Sequence, residues 1–265
     1  MELTMLGTGN AMVTECYNTC FALSDNDRHF LIDTGGGNRI LKVLKDTHIP
    51  IEGIHDIFIT HEHADHILGI VWMIRVIGTK MNQGKYEGNL KIYCHSDLVN
   101  SIRTIANLTI QKKVCSHLGE RIIFVPLEHG DQHTIIGNEV TFFDIMSTKA
   151  KQYGFTMQSG NVKFTCVGDE PYNEADYEYV KDSDWLMHEA FCLYSEADKF
   201  KPYEKHHSTV REACQFAEKL QIPNLILYHT EEVNLKNRKE LYTAEGQEYY
   251  QGNLFVPWDL EVFDI

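Results

Sequence analysis

Short apolar runs that stop abruptly on glycine, aspartate or histidine alternate along this chain with stretches of helical periodicity. Residues 2–6 predict a first strand, closed by Gly7-Thr8-Gly9. The third glycine of a dinucleotide-binding loop is missing and no helix opens there, so these glycines predict a tight turn. Residues 20–23 and 29–33 predict two strands around the polar turn Asp25-Asn26-Asp27, and residues 38–45 a helix. The run Ile54-His55-Asp56-Ile57-Phe58-Ile59 is rich in β-branched residues and predicts a strand. It meets a polar knot, after which apolar residues recur at helical spacing over 66–80.

Further along, strands are predicted over 90–94, 121–126, 139–145, 153–157 and 162–167, with 97–107 helical behind Ser96 as its cap. The last two of these strands form a hairpin around Ser159-Gly160-Asn161 that delivers Gly168-Asp169 to a strand end. Asn173 caps a short helix to Lys181, and 185–189 is a strand ending on polar groups. Ser208 caps a helix over 209–220, and 225–229 is a strand of buried type ending in histidine. A helix over 234–245, a strand at 254–256 and a tail through Phe263 complete the chain. Strands and helices in this order predict an α/β fold, an αββα sandwich of two mixed sheets back to back with helices on the outer faces. No repeat, low-complexity tract or linker interrupts it, so residues 1–265 are read as one domain.

Composition narrows the partners. The hydrophobic fraction of 43% is that of a globular chain, but 38 acidic residues against 24 basic ones give a formal charge of −14. Such a field repels polyphosphate, and no Lys/Arg cluster reverses it, so long nucleic acid is not the expected partner. The seven cysteines, Cys16, Cys20, Cys94, Cys115, Cys166, Cys192 and Cys214, are odd in number, scattered and without a C-x-x-C pair. Reduced thiols in a cytoplasmic setting are the expectation. No signal-peptide pattern opens the chain and no apolar run is long enough to span a bilayer, so no membrane partner is expected.

Candidate chemistry concentrates in Thr60-His61-Glu62-His63-Ala64-Asp65-His66. Three imidazoles and a carboxylate at a strand-to-helix junction are hard to explain as packing. His61 and His63 can fan out from the turn while Asp65 and His66 open the helix, so the four form two pairs able to face two neighbouring ions. Imidazole with carboxylate suits zinc, iron or manganese better than calcium or magnesium. Asp33, at a strand end before Gly35-Gly36-Gly37, is read as an orienter of that loop, with an Asx turn as the plainer alternative.

His61-x-His63-x-Asp65-His66, together with Asp33, Gly168-Asp169 and the strand-terminal His229, resembles the metallo-β-lactamase superfamily of αββα hydrolases. More narrowly, His188-Glu189-Ala190 and His207-Ser208-Thr209 resemble the paired loops of the ribonuclease Z-like branch. The resemblance implies two divalent metal ions, zinc first, with manganese or iron as the other candidates. It assigns His61 and His63 to the first ion, Asp65, His66 and His229 to the second, and Asp169 as a bridge. It further implies catalytic roles for Asp65, which orients the nucleophile, and for His207, steered by Glu189, as donor of a proton to the leaving group. A homodimer is compatible with the branch.

Two departures qualify the resemblance. The branch takes a third histidine for the first ion from the span before Tyr153-Gly154-Phe155, but residues 144–152 contain none, and Met146 or Thr148 falls where it is expected. Two histidines, Asp169 and water then hold a weak first site; His129 or His133 reaches in; or a single ion binds. The protruding arm with which ribonuclease Z enzymes hold transfer RNA is also absent, since only a hairpin separates Phe155 from Gly168. The expected function is a phosphodiesterase that acts on a small or short phosphodiester through a metal-bound hydroxide. The alternatives are a degenerate relative that binds metal or ligand without turnover, or a lactone or thioester hydrolase of the same fold. A serine nucleophile finds no Gly-x-Ser-x-Gly elbow, and a buried structural thiol is the reading for Cys192.

Overall fold

A computed structural model describes residues 1–265. One sheet is built from β1 (Glu2–Gly7), β2 (Cys20–Asp25), β3 (Arg28–Ile32), β4 (Ile54–Phe58), β5 (Leu90–His95) and β6 (Ile122–Leu127). The other is built from β7 (Gln132–Ile135), β8 (Asn138–Asp144), β9 (Tyr153–Ser159), β10 (Val162–Cys166), β11 (Trp185–Glu189), β12 (Asn224–Tyr228) and β13 (Asn253–Phe255). The final strand β14 (Val262–Asp264) returns to the first sheet and pairs antiparallel with β1. Each sheet has seven strands, in the orders β14-β1-β2-β3-β4-β5-β6 and β13-β12-β11-β10-β9-β8-β7.

Both sheets are mixed. β3 to β6 run parallel in one and β10 to β13 in the other, so each carries a set of carboxyl-terminal strand ends on one edge of the sandwich. Alternation across the pleat sorts the side chains. Leu3, Met5, Phe21, Phe30 and Phe58 from one sheet meet Phe142, Phe155, Phe164, Met187 and Tyr228 from the other in a shared core. The opposite faces, with Leu31, Ile57 and Ile92 on one side and Leu186, Leu225 and Leu227 on the other, are covered by helices. Helices α1 (Arg39–Asp46), α2 (Ala64–Ile67), α3 (Gly69–Asn82), α4 (Ser96–Thr109) and α5 (Lys112–Cys115) belong to the first half of the chain. The second half supplies α6 (Tyr177–Val180), α7 (Ala197–Phe200), α8 (Val210–Lys219) and α9 (Arg238–Gly246). The expected αββα sandwich is the observed fold. No helix is long and apolar enough to cross a membrane.

Several local expectations are corrected. The helix expected over 66–80 is two helices broken at Leu68, because Thr34 takes the His66 carbonyl with both its N–H and its hydroxyl, each at 3.0 Å. Gly69 permits the close approach: a Cβ there would lie 2.0 Å from the Thr34 carbonyl oxygen. Ser96 is the first residue of α4 and His95 takes the cap position. Ser208 is not the cap of α8; Thr209 is, in a capping box with Glu212. Residues 132–135, to which the hydrophobic pattern assigns no element, pair as β7, and the tail carries β14.

Candidate metal centre

The site lies where the carboxyl ends of the two parallel strand sets come together. Asp33 follows β3, the histidine loop follows β4, Asp169 follows β10, Glu189 ends β11 and His229 follows β12. Asp33 (φ 54°) and His229 (φ 57°) hold left-handed backbone, and Gly168 (φ 77°) precedes Asp169, so the chain turns sharply as it presents each group.

All the residues anticipated as ligands converge. The ring nitrogens His61 Nε2 and His63 Nδ1 are 2.9 Å apart, and His61 Nε2 is 3.7 Å from Asp169 Oδ2. Asp65 Oδ2 lies 3.4 Å from both His66 Nε2 and His229 Nε2. Asp169 Oδ2 stands between the groups, 3.6 Å from His66 Nε2 and 3.4 Å from His229 Nε2. Donor atoms of His61, His63 and Asp169 fall within 4.8 Å of one another, as do those of Asp65, His66 and His229. A tetrahedral zinc ion with Zn–N near 2.0–2.1 Å separates its ligand atoms by about 3.3–3.4 Å, so small side-chain adjustments would close the donor set around an ion. The nitrogens His66 Nε2, His229 Nδ1 and His229 Nε2 are buried without a hydrogen-bond partner, which an apolar or purely hydrogen-bonded role would leave unexplained.

Electrostatics follow from the crowding. Burial would raise the Asp65 and Asp169 carboxyls, but the imidazoles around them outweigh it and hold both well below the usual carboxylate range. Burial would lower His66, yet Asp65 and Asp33 raise it well above an ordinary histidine, whereas burial keeps His61 well below one. Asp33 does what was expected of an orienter. Its Oδ2 meets His66 Nδ1 at 2.7 Å and accepts the Thr60 hydroxyl at 2.8 Å, and its Oδ1 accepts the Thr60 N–H at 2.9 Å. Thr60 Oγ1 in turn meets His61 Nδ1 at 2.9 Å, so one carboxylate governs the tautomers of both groups.

The other expected residues take definite places. His207 belongs with Asp169 and His229 in a third group of ligand-type atoms within 4.8 Å of one another, so it borders the ion cluster as well as the cleft. Its ring stacks on Phe191 at 4.9 Å and 9°. Burial, then His229, lowers its pKa to about 3, and its Nδ1 lies 3.8 Å from Glu189 Oε2. Glu189 is fully buried. Burial pushes its carboxyl well above the usual range, although Oε1 accepts both the Ser208 N–H and the Ser208 hydroxyl, and Oε2 accepts the Phe191 N–H at 3.1 Å.

Neither residue singled out for the missing histidine faces the site. Met146 is 48% exposed, and Thr148 pairs with His206 Nδ1 at 3.1 Å. His129 is held by Tyr179 Oη at 3.0 Å, and His133 packs on the rings of Tyr93 and Phe142, so neither reaches in. The one side chain of residues 144–152 that enters the cluster is Gln152, whose Nε2 donates to Asp169 Oδ1 at 2.6 Å. Sequence reasoning missed it because an amide in a loop carries no ligand signature.

Fold and site define a class, a hydrolase of the metallo-β-lactamase superfamily in its ribonuclease Z-like branch. The chain is 25% identical over 311 aligned positions to a ribonuclease Z of Listeria innocua serovar 6a, covering 100% of this chain and 99% of that one. Among solved structures it superposes on the metallo-β-lactamase fold protein YhfI from Bacillus subtilis with a TM-score of 0.80 at 17% identity, covering 99% and 98% of the two chains. Human tRNase Z, short form, follows with a TM-score of 0.76 at 21% identity over 100% and 99%. Within that class the chain belongs to the family of the anti-Pycsar protein Apyc1, whose model matches residues 1–249. The 311-position alignment exceeds the 265 residues of this chain by 46, and β9 and β10 are joined here by a turn at Gly160-Asn161 with no arm between them.

Proposed function

We propose that this chain is a metal-dependent phosphodiesterase acting on a small or short phosphodiester, with zinc as the first choice of ion and manganese or iron as the others. His61, His63 and Asp169 would hold one ion and Asp65, His66 and His229 the other, with Asp169 shared. When bound, such ions supply a nucleophile from water at neutral pH and polarise the phosphoryl oxygen.

The observation that carries the reading is the His207–Glu189 pair beside the cluster. Burial disfavours charge on both groups, lowering His207 to about 3 and pushing the Glu189 carboxyl well above the usual range, so the pair is suited to hold a proton at the wall of the cleft. Glu189 hands it to Nδ1 across a 3.8 Å gap that side-chain adjustment can close, and His207 passes a proton to the departing oxygen. A phosphodiester with a poor leaving group needs that proton. The cleft of about 710 Å³ is of a size for a small molecule, and Lys149 and Lys205 offer the only cationic side chains on its wall. Lys149 Nζ is steadied by the Lys205 carbonyl at 2.8 Å. The acidic surface and the bare hairpin argue against transfer RNA.

The two-imidazole first group favours a second reading, a relative that binds without turnover. One experiment separates them: hydrolysis of a diester series by the metal-loaded protein and by His207→Ala. The enzyme reading expects turnover, with the variant losing about 10²–10³-fold on alkyl leaving groups and far less on nitrophenyl ones. No turnover of any diester by the loaded wild type would overturn it, and equal losses across the series would remove the proton donor.

A further inference from the structure

Gln152 stands just before β9 in the span that lacks the third histidine, and it is tied down from both sides. Its carbonyl accepts the Ile145 N–H at 3.0 Å, and the next residue, Tyr153, donates its N–H to the Thr60 carbonyl of the histidine loop at 3.2 Å. The side chain is 1% exposed. The amide lies against Gly168, where an added Cβ would come within 2.9 Å of its Nε2, so only glycine leaves room for it. From there Nε2 donates to Asp169 Oδ1 at 2.6 Å, and a carboxylate oxygen can only accept, which fixes the direction of the bond.

The consequence falls on the other oxygen. Asp169 Oδ2 faces His61, His66 and His229 at 3.4–3.7 Å, while Oδ1 is turned towards the amide and held by it. A carboxylate free to rotate would offer both oxygens to one ion, or one to each. Held as it is, Asp169 presents a single oxygen to both groups. The His66 and His229 group has its own carboxylate in Asp65, whereas Asp169 is the one carboxylate grouped with His61 and His63.

We infer that Gln152 is the positioning residue of the first metal site: by fixing Asp169 as a one-oxygen bridge it offsets the absent imidazole. This rests on the reading of the cluster as a two-ion centre. Two variants isolate the effect. Gln152→Met keeps length and volume but removes the donor; Gln152→Asn keeps the amide but shortens its reach. Metal-free protein is titrated with Zn²⁺ against a competing chelator, ions per chain are counted by elemental analysis, and Co²⁺ replacement is followed by its visible absorption. Wild type is expected to take two ions. Gln152→Met is expected to weaken one of them by about 10–100-fold while leaving the other within threefold, with loss of one of two Co²⁺ signatures, and Gln152→Asn to fall between. Equal weakening of both sites, which a merely structural role would give, overturns the inference, as does a variant with both affinities unchanged. A wild type that binds no ion overturns instead the metal-centre reading beneath it.

Discussion

Ser208 Oγ donates to Glu189 Oε1 at 2.5 Å, from a serine that sits one residue ahead of the helix cap and has no part in capping. The main-chain N–H of Ser208 reaches the same oxygen, so the loop carrying His207 is anchored on the carboxyl that faces the His207 ring. Ser208→Ala removes one of these donors. It should lower stability by about 1 kcal/mol and reduce kcat for diesters with poor leaving groups by roughly tenfold, leaving metal content unchanged. Denaturant titration, kinetics and elemental analysis check the three parts; a loss of metal would show that the serine acts on the ligands instead.

Asp33 offers a cleaner substitution than its burial suggests. Asparagine tolerates its left-handed backbone and keeps one acceptor, but loses the charge that faces His66 Nδ1. Asp33→Asn should weaken an ion at the Asp65, His66 and His229 group by about 10–100-fold in a chelator competition. Asp33→Ala should add a fold defect of about 1–3 kcal/mol, because the Thr60 N–H is left buried without its acceptor.

Asp169→Asn tests the bridge itself. Its Oδ2 is the atom common to both groups, so ions per chain and hydrolysis should fall together. Full metal content in the purified variant refutes the shared role.

A pH effect is expected away from the centre. Burial, with Asp144 nearby, pushes the Asp176 carboxyl up to about 7 from the ordinary carboxylate range near 4, and its Oδ1 has no partner. A raised carboxyl keeps its proton in the fold while the unfolded chain has lost it. Stability is therefore present below pH 4, falls as pH rises towards 7, and stays low above it. Asp176→Asn should be near neutral at pH 4 and stabilising by about 2 kcal/mol at pH 8, where solvent screens part of the cost of the charge. Urea curves at the two pH values decide it; an equal gain at both would refute the protonation account.

Much of the centre was legible in the chain because its ligands need particular donors at strand ends. His61, His63, Asp65 and His66 are contiguous, and Asp33, Asp169 and His229 each follow an apolar run that can only be a strand. What stayed hidden depends on contacts across the fold. The break at Leu68 is made by Thr34, thirty-odd residues earlier, and periodicity within 66–80 carries no trace of it. The Ser208 role was misread because two hydroxyl residues stand side by side. Glu212, three residues after Thr209, was the signal that distinguishes them. Gln152 had no signal at all. Strand β14 was too short to read against its polar neighbours, and only its pairing with β1 reveals it.

The strand ends of one sheet carry Asp33 and the histidine loop, and those of the other carry Asp169, Glu189 and His229. Cations gripped there would act as rivets through the sandwich. Occupancy and cohesion of the two leaves then become one thermodynamic quantity, worth about 2.7 kcal/mol when free ion stands at a hundred times its dissociation constant. A chelator should therefore lower the melting temperature as well as stop turnover. Substitutions deep among the phenylalanines between the leaves should in turn alter ion affinity without touching a ligand.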